Sequence, residues 1–227
     1  MPTIDSELSR GVLDLQPSPP IHAPLKHGLH QFASPTRPAL LYVPDRLPTR
    51  PRPPLLVAFH HAGGAPSDML ALLRCEAERR GVLLLAPAAA RQTWDAVRNG
   101  VYGRDAAALR NILTTVRMHF PIDPDRIAIA GYRDGASYAL GLGLANGNLF
   151  TRILAYSPDH IPPGCRTGRP TVFISHEQHN TPPTAATAGQ RIVAALEDDG
   201  YHVDHIEHPG GQSTPASVVK TSAELLD

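Results

Sequence analysis

The chain has 227 residues, of which 42% are hydrophobic, and its 21 basic side chains balance 21 acidic ones. Length and apolar content suffice for one substantial core, while the balanced charge gives no electrostatic footprint for nucleic acid or an anionic membrane. No segment approaches the roughly 18 apolar residues of a membrane span, and MPTIDSELSRGV lacks a basic-then-apolar leader, so a soluble, cytoplasmic protein is expected.

Twelve of the 24 prolines fall in residues 1–54. Residues 1–37 read as an irregular N-terminal wrap, followed by a single domain over 38–227. ALLYVP at 39–44 is the first expected strand, and PTRPRPP is a stiff turn after it. LLVAFH at 55–60 is a continuous apolar run of the kind a sheet covered on both faces requires, and it ends at His61-Ala62-Gly63-Gly64. Residues 66–80 have helical character, and GVLLLAP at 81–87 gives another buried strand. From Arg104 to Phe120 the apolar residues Ala108, Leu109, Ile112, Leu113 and Val116 recur three and four apart, the mark of one helix face. A short strand at 126–130 and a small-residue helix from Asp134 to about Ala145 come next. RILAYS, TVFIS and HVDHIE supply further strands, with a helix near 184–199 between the last two. This alternation implies an α/β fold: a mostly parallel twisted sheet with helices on both faces and right-handed crossovers. Cys75 and Cys165 have no C-x-x-C spacing and read as free thiols.

The strand IAIAGY runs into Gly131-Tyr132-Arg133-Asp134-Gly135, with TWD at 93–95, ANGNLF at 145–150 and AYSP at 155–158 in order around it. From residue 38 onward this series resembles the esterase, phospholipase and polyester-depolymerase-like branch of the α/β-hydrolases. The resemblance implies the α/β-hydrolase fold, in which Gly-x-Ser-x-Gly holds a serine nucleophile on a strained strand-to-helix turn. The nucleophile position falls on Arg133, whose guanidinium stays protonated and has no oxygen or sulfur with which to attack a carbonyl. The acid position, after TVFIS, falls on Asn180 in His176-Glu177-Gln178-His179-Asn180. The base position, in a Gly-Gly-His-like turn after the last strand, falls on Gln212 in Pro209-Gly210-Gly211-Gln212. An amide can orient an imidazole, but it is no general base near neutral pH. The resemblance thus implies a catalytically inactive pseudo-esterase that binds a small molecule or a protein partner. The alternative is an enzyme that uses this fold for other chemistry or weak ester hydrolysis.

If the family geometry is kept, the backbone N–H groups of Ala62 and Asp134 form an oxyanion hole. Arg133 beside it either completes an anion pocket or locks onto an internal carboxylate. The pocket candidates are His61, Trp94, Asp95, Tyr132, His160, His176 and His179; Trp94 either lines an apolar groove or seals its loop onto the body. His60, Asp105, Asp159 and Glu177 are further imidazoles and carboxylates near the sheet's carboxyl edge. No H-x-x-x-H or H-E-x-x-H on a helix accompanies them, so neither a metal nor a cofactor is expected. Ser137, one turn into the helix, reads as packing or backbone bonding. Cys165 with His160 is a thiol–imidazole pair that nothing in the sequence orients.

Overall fold

The computed structural model describes residues 6–15, 20–33, 38–48, 50–178, 187–209 and 214–227. Among them lie eight strands, β1 (Gly28–Phe32), β2 (Ala39–Val43), β3 (Leu55–Phe59), β4 (Leu83–Ala86), β5 (Ile127–Tyr132), β6 (Arg152–Tyr156), β7 (Thr171–Gln178) and β8 (Val203–Pro209). The α-helices are α1 (Ser6–Ser9), α2 (Pro66–Arg80), α3 (Asp95–Asn99), α4 (Arg104–His119), α5 (Asp134–Ala145), α6 (Ala188–Asp198) and α7 (Ala216–Ala223). The strands form one sheet in the order β1-β2-β4-β3-β5-β6-β7-β8. β1 and β2 are antiparallel to their neighbours, and every pair from β4 across to β8 is parallel.

Both faces of the sheet are covered, which is why the central strands are apolar at every position rather than at alternate ones. Leu55, Val57 and Phe59 of β3 and Ile127 and Ile129 of β5 join one core, shared with the apolar stripe of α4 and with α5 and α6. Leu56 and Ala58 of β3 and Ala128 and Ala130 of β5 point the other way, against Met69 and Leu73 of α2 and Val218 and Val219 of α7. Helix α2 starts with Pro66 in its first turn and stops at Gly81, whose φ of 65° is the left-handed conformation that ends a helix cheaply. Thr187 caps α6: its hydroxyl accepts the Gln190 N–H (3.2 Å) and the Gln190 side chain accepts the Thr187 N–H (3.1 Å), which fixes the helix start. The earlier part of the expected helix, 184–186, lies outside the described residues.

The expectation of irregular chain over 1–37 is corrected at α1 and β1. Leu8 and Leu13 are buried in the larger core, and β1 adds an edge strand to β2. Asn146 ties this opening segment down: its amide donates to Gly11 O (2.6 Å) and its carbonyl accepts the Leu13 N–H (2.9 Å). Helices α3 and α7 are additions to the sequence reading. Among the described residues no helix is long and apolar enough to cross a membrane.

Candidate functional site

The sheet delivers β5 to a sharp turn at its carboxyl edge, where Arg133 has φ 51° and ψ −116° before α5 begins at Asp134. A Cβ in this region of backbone space is strained, at a cost of about 1–3 kcal/mol. Packing enforces the turn. A Cβ on Gly131 would lie 2.0 Å from Gly135 O, and one on Gly135 would lie 2.0 Å from Phe59 O. Both glycines of the five-residue frame are therefore demanded by close backbone approach, and the residue between them is pushed out at the tip. Its N–H is held by Tyr156 O (2.8 Å), at the end of the next strand.

The Arg133 side chain is about half exposed (52%) and lies along neighbouring groups. Its Nε donates to the Tyr132 hydroxyl (3.1 Å), and its guanidinium carbon sits 5.3 Å from the centre of that ring. Its Nη2 is 3.9 Å from Oε1 of Glu177 on β7, a carboxylate only 16% exposed. That is a loose approach to a carboxylate of the sheet rather than a locked ion pair. Asp134 turns elsewhere, accepting a hydrogen bond from the Thr93 hydroxyl (2.6 Å).

At the end of β3, His60 is fully buried and acts as a brace. Its Nε2 accepts the Ala89 N–H (3.1 Å), so the proton sits on Nδ1, 2.7 Å from His61 O. His61 stacks edge-on against Tyr132 at 5.8 Å, and its buried Nδ1 has no hydrogen-bond partner among the described residues. The loop then turns through Gly63, whose N–H donates to Gln92 O (2.7 Å). The start of α5 meets the end of β3 through Gly135, which brings the chain segments carrying Ala62 and Asp134 to the same edge.

Trp94 is 1% exposed, stacked on Tyr138 at 5.0 Å and edge-on to Phe59 at 4.8 Å. Its indole N–H donates to His60 O (2.8 Å). The groove-lining reading of Trp94 is corrected: the indole seals its loop onto the body. The next residue, Asp95, does face a cavity. Two carboxylates knit this loop by crossing over, since Asp105 Oδ2 accepts the Asp95 N–H (2.8 Å) and Asp95 Oδ2 accepts the Asp105 N–H (3.0 Å). Asp95 also accepts from Ala96 and Gly103, and Asp105 from Ala90. Burial and the adjacent Asp105 charge push the Asp95 carboxyl up to about 6, and burial likewise raises Asp105. The cavity beside them measures about 390 Å³.

At the ends of β6 and β7 the other candidates separate. His160 is exposed, and its backbone N–H approaches the buried Ser137 hydroxyl (3.4 Å), which also accepts from Asp159 N (3.1 Å). Ser137 thus serves backbone bonding, as its place in the helix implied. His176 is half-buried with Nε2 2.9 Å from Pro158 O and an Nδ1 that has no hydrogen-bond partner among the described residues, and burial holds it below the usual imidazole range. Its ring meets that of His205 at 5.8 Å. Cys75 and Cys165 are free thiols. His179, Asn180 and Gln212 lie outside the described residues. Among the described ones, no group of three His, Cys, Asp or Glu side chains is arranged to hold a metal ion. Thr93, Arg91, Arg98 and Arg104 line the same cavity as Asp95 and are not among the residues expected from sequence. The last three recur within RQTWDAVRNGVYGRD, a density of guanidiniums that was the available signal.

No protein-family model matches the chain, and no curated protein is similar to it in sequence. Solved structures are similar in shape. The fluorophosphonate-binding serine hydrolase F of Staphylococcus aureus aligns with a TM-score of 0.66 at 11% identity, over 90% of this chain and 100% of that one. S-formylglutathione hydrolase FrmB from the same organism gives 0.66 at 12% identity, over 88% and 98% of the two chains. A phospholipase/carboxylesterase from Dyadobacter fermentans gives 0.59 at 19% identity, over 90% and 99%. Identities this low speak to architecture alone. With a mostly parallel eight-stranded sheet, helices on both faces and a strained turn after β5, the chain has the α/β-hydrolase fold.

Proposed function

We propose that this chain is a pseudo-esterase: an α/β-hydrolase-fold protein that binds a small molecule and does not carry out serine-triad acyl transfer. The observation that carries the reading is Arg133 at φ 51° in the turn between Gly131 and Gly135, the place at which a hydrolase of this fold presents its serine. A guanidinium supplies charge and hydrogen bonds at that tip but no nucleophile. On the sequence resemblance, the acid and base positions are amides, Asn180 and Gln212, so a serine restored at 133 would still lack its proton relay.

A second reading, ester hydrolysis or acid–base chemistry by other residues, draws support from the structural neighbours, which are named as esterases and hydrolases. It also draws on His61 and His176, each with a buried Nδ1 that has no hydrogen-bond partner among the described residues. Turnover of p-nitrophenyl acetate and butyrate by the purified chain separates the two. The pseudo-esterase reading expects no hydrolysis above a matched protein blank, from the parent or from Arg133→Ser. Hydrolysis well above the blank that falls about tenfold or more in His61→Ala or His176→Ala contradicts it and favours the second reading.

A further inference from the structure

The cavity of about 390 Å³ lies between the loop that follows β4 and the start of α4; Arg133 is not among its lining residues, although Thr93, which is, bonds to the neighbouring Asp134. Arg91, Arg98 and Arg104 line it, all three exposed, together with Asp95, Val101 and the buried Tyr102. Exposed arginines are ordinarily just solvated. Here the distribution of partners is uneven. The two carboxylates of the cavity, Asp95 and Asp105, are taken up by five backbone N–H groups: Ala96, Gly103 and Asp105 on the first, Ala90 and Asp95 on the second. Among the described residues none of the three guanidiniums makes a hydrogen bond or a short ion pair; Arg98 acts on Asp105 only through its field. The acids are satisfied and the cations are not.

We propose that this cavity binds a small organic anion, a carboxylate or phosphate group held by Arg91, Arg98 and Arg104 with a short apolar body against Val101 and Tyr102. Guanidinium forks suit both head groups and bind them bidentately. The volume falls in the range of small-ligand sites, roughly 300–1,000 Å³. Val101, 46% exposed, offers apolar surface that an occupant covers. The inference rests on the small-molecule-binding half of the proposed function and is independent of whether the chain hydrolyses esters, so a failure of one leaves the other measurable.

Trp94 is the chain's one tryptophan, and its neighbours Thr93 and Asp95 line the cavity, so its fluorescence reports occupancy there. The full chain is titrated with benzoate, phenyl phosphate and the neutral benzyl alcohol. The expected result is a saturable change with at least one of the two anions, and apparent affinity at least about tenfold weaker for the alcohol. Which anion binds more tightly distinguishes a carboxylate from a phosphate ligand. An Arg98→Gln/Arg104→Gln double variant, with its melting curve checked against the parent, loses about tenfold or more in affinity. Equal response to the alcohol, or no saturable response to either anion, overturns the proposal. So does a response that survives the double variant and disappears in Arg133→Gln, because that moves the site to the strained turn.

Discussion

Arg133 occupies a backbone conformation that only glycine adopts without strain, at φ 51° and ψ −116°. Three restraints keep it there: the Tyr156 carbonyl on its N–H, and the contacts that Gly131 and Gly135 make with Gly135 O and Phe59 O. The side chain contributes a bond to the Tyr132 hydroxyl and a loose approach to Glu177, both partly exposed and therefore weak. Relief of strain outweighs those contacts and the extra freedom glycine gives the unfolded chain. Arg133→Gly is therefore expected to raise stability by about 1 kcal/mol in urea denaturation. A loss of stability would mean that Arg133 is held by its side chain rather than tolerated by its backbone. The turn itself was legible in the sequence because two glycines and a following small-residue helix frame it. The partner of Arg133 was not, because Glu177 lies two strands away in the sheet and only the strand order reveals that proximity.

Between the elements, Asp95 and Asp105 fasten α3 to the start of α4 by exchanging N–H bonds. Folding raises the Asp95 pKa from 3.8 to about 6, through burial first and the charge of Asp105 second. A carboxyl with a raised folded-state pKa binds more protons folded than unfolded within that window, so its contribution to stability falls as pH rises through it. Compared across pH, the stability of Asp95→Asn relative to the parent should therefore improve from about pH 4 to about pH 6 and level off above. Denaturation curves for both proteins at several pH values check this; a difference that is flat across the window contradicts the assigned shift. Element boundaries were legible where the sequence marked them: α2 by Pro66 and Gly81, α5 by the glycine-framed turn before it, and α4, which ends within a residue of its expected range, by its apolar stripe. β1 escaped notice because its inward positions are Gly28, His30 and Phe32, while its apolar Leu29 points outward and is 58% exposed. α7 escaped because ASVVKTSA is rich in β-branched residues, which carry little helical signal. Its helix is fixed by packing Val218, Val219 and Ala223 onto the sheet.

Across the whole molecule, the mostly parallel sheet and its covering helices follow from continuous apolar runs alternating with amphipathic ones, and they match the hydrolases that share its shape. Fold and chemistry rest on different residues. The sheet needs apolar side chains and close-packed glycines; acyl transfer needs a hydroxyl or thiol at the turn and an imidazole within reach of it. The cavity by Asp95 and Asp105 was legible only as two separate acids and a run dense in arginine, because these residues come together through the fold of 90–105 rather than through a recognisable motif. No activated serine is expected at the carboxyl edge of the sheet, since the turn after β5 presents Arg133. Intact-protein mass spectrometry after incubation with a fluorophosphonate tests it most directly, since the reagent phosphonylates an activated serine with loss of fluoride. The expected result is a mass unchanged from that of the untreated chain. A stoichiometric single adduct that maps to a serine at the sheet's carboxyl edge, such as Ser157 just after β6, would contradict it.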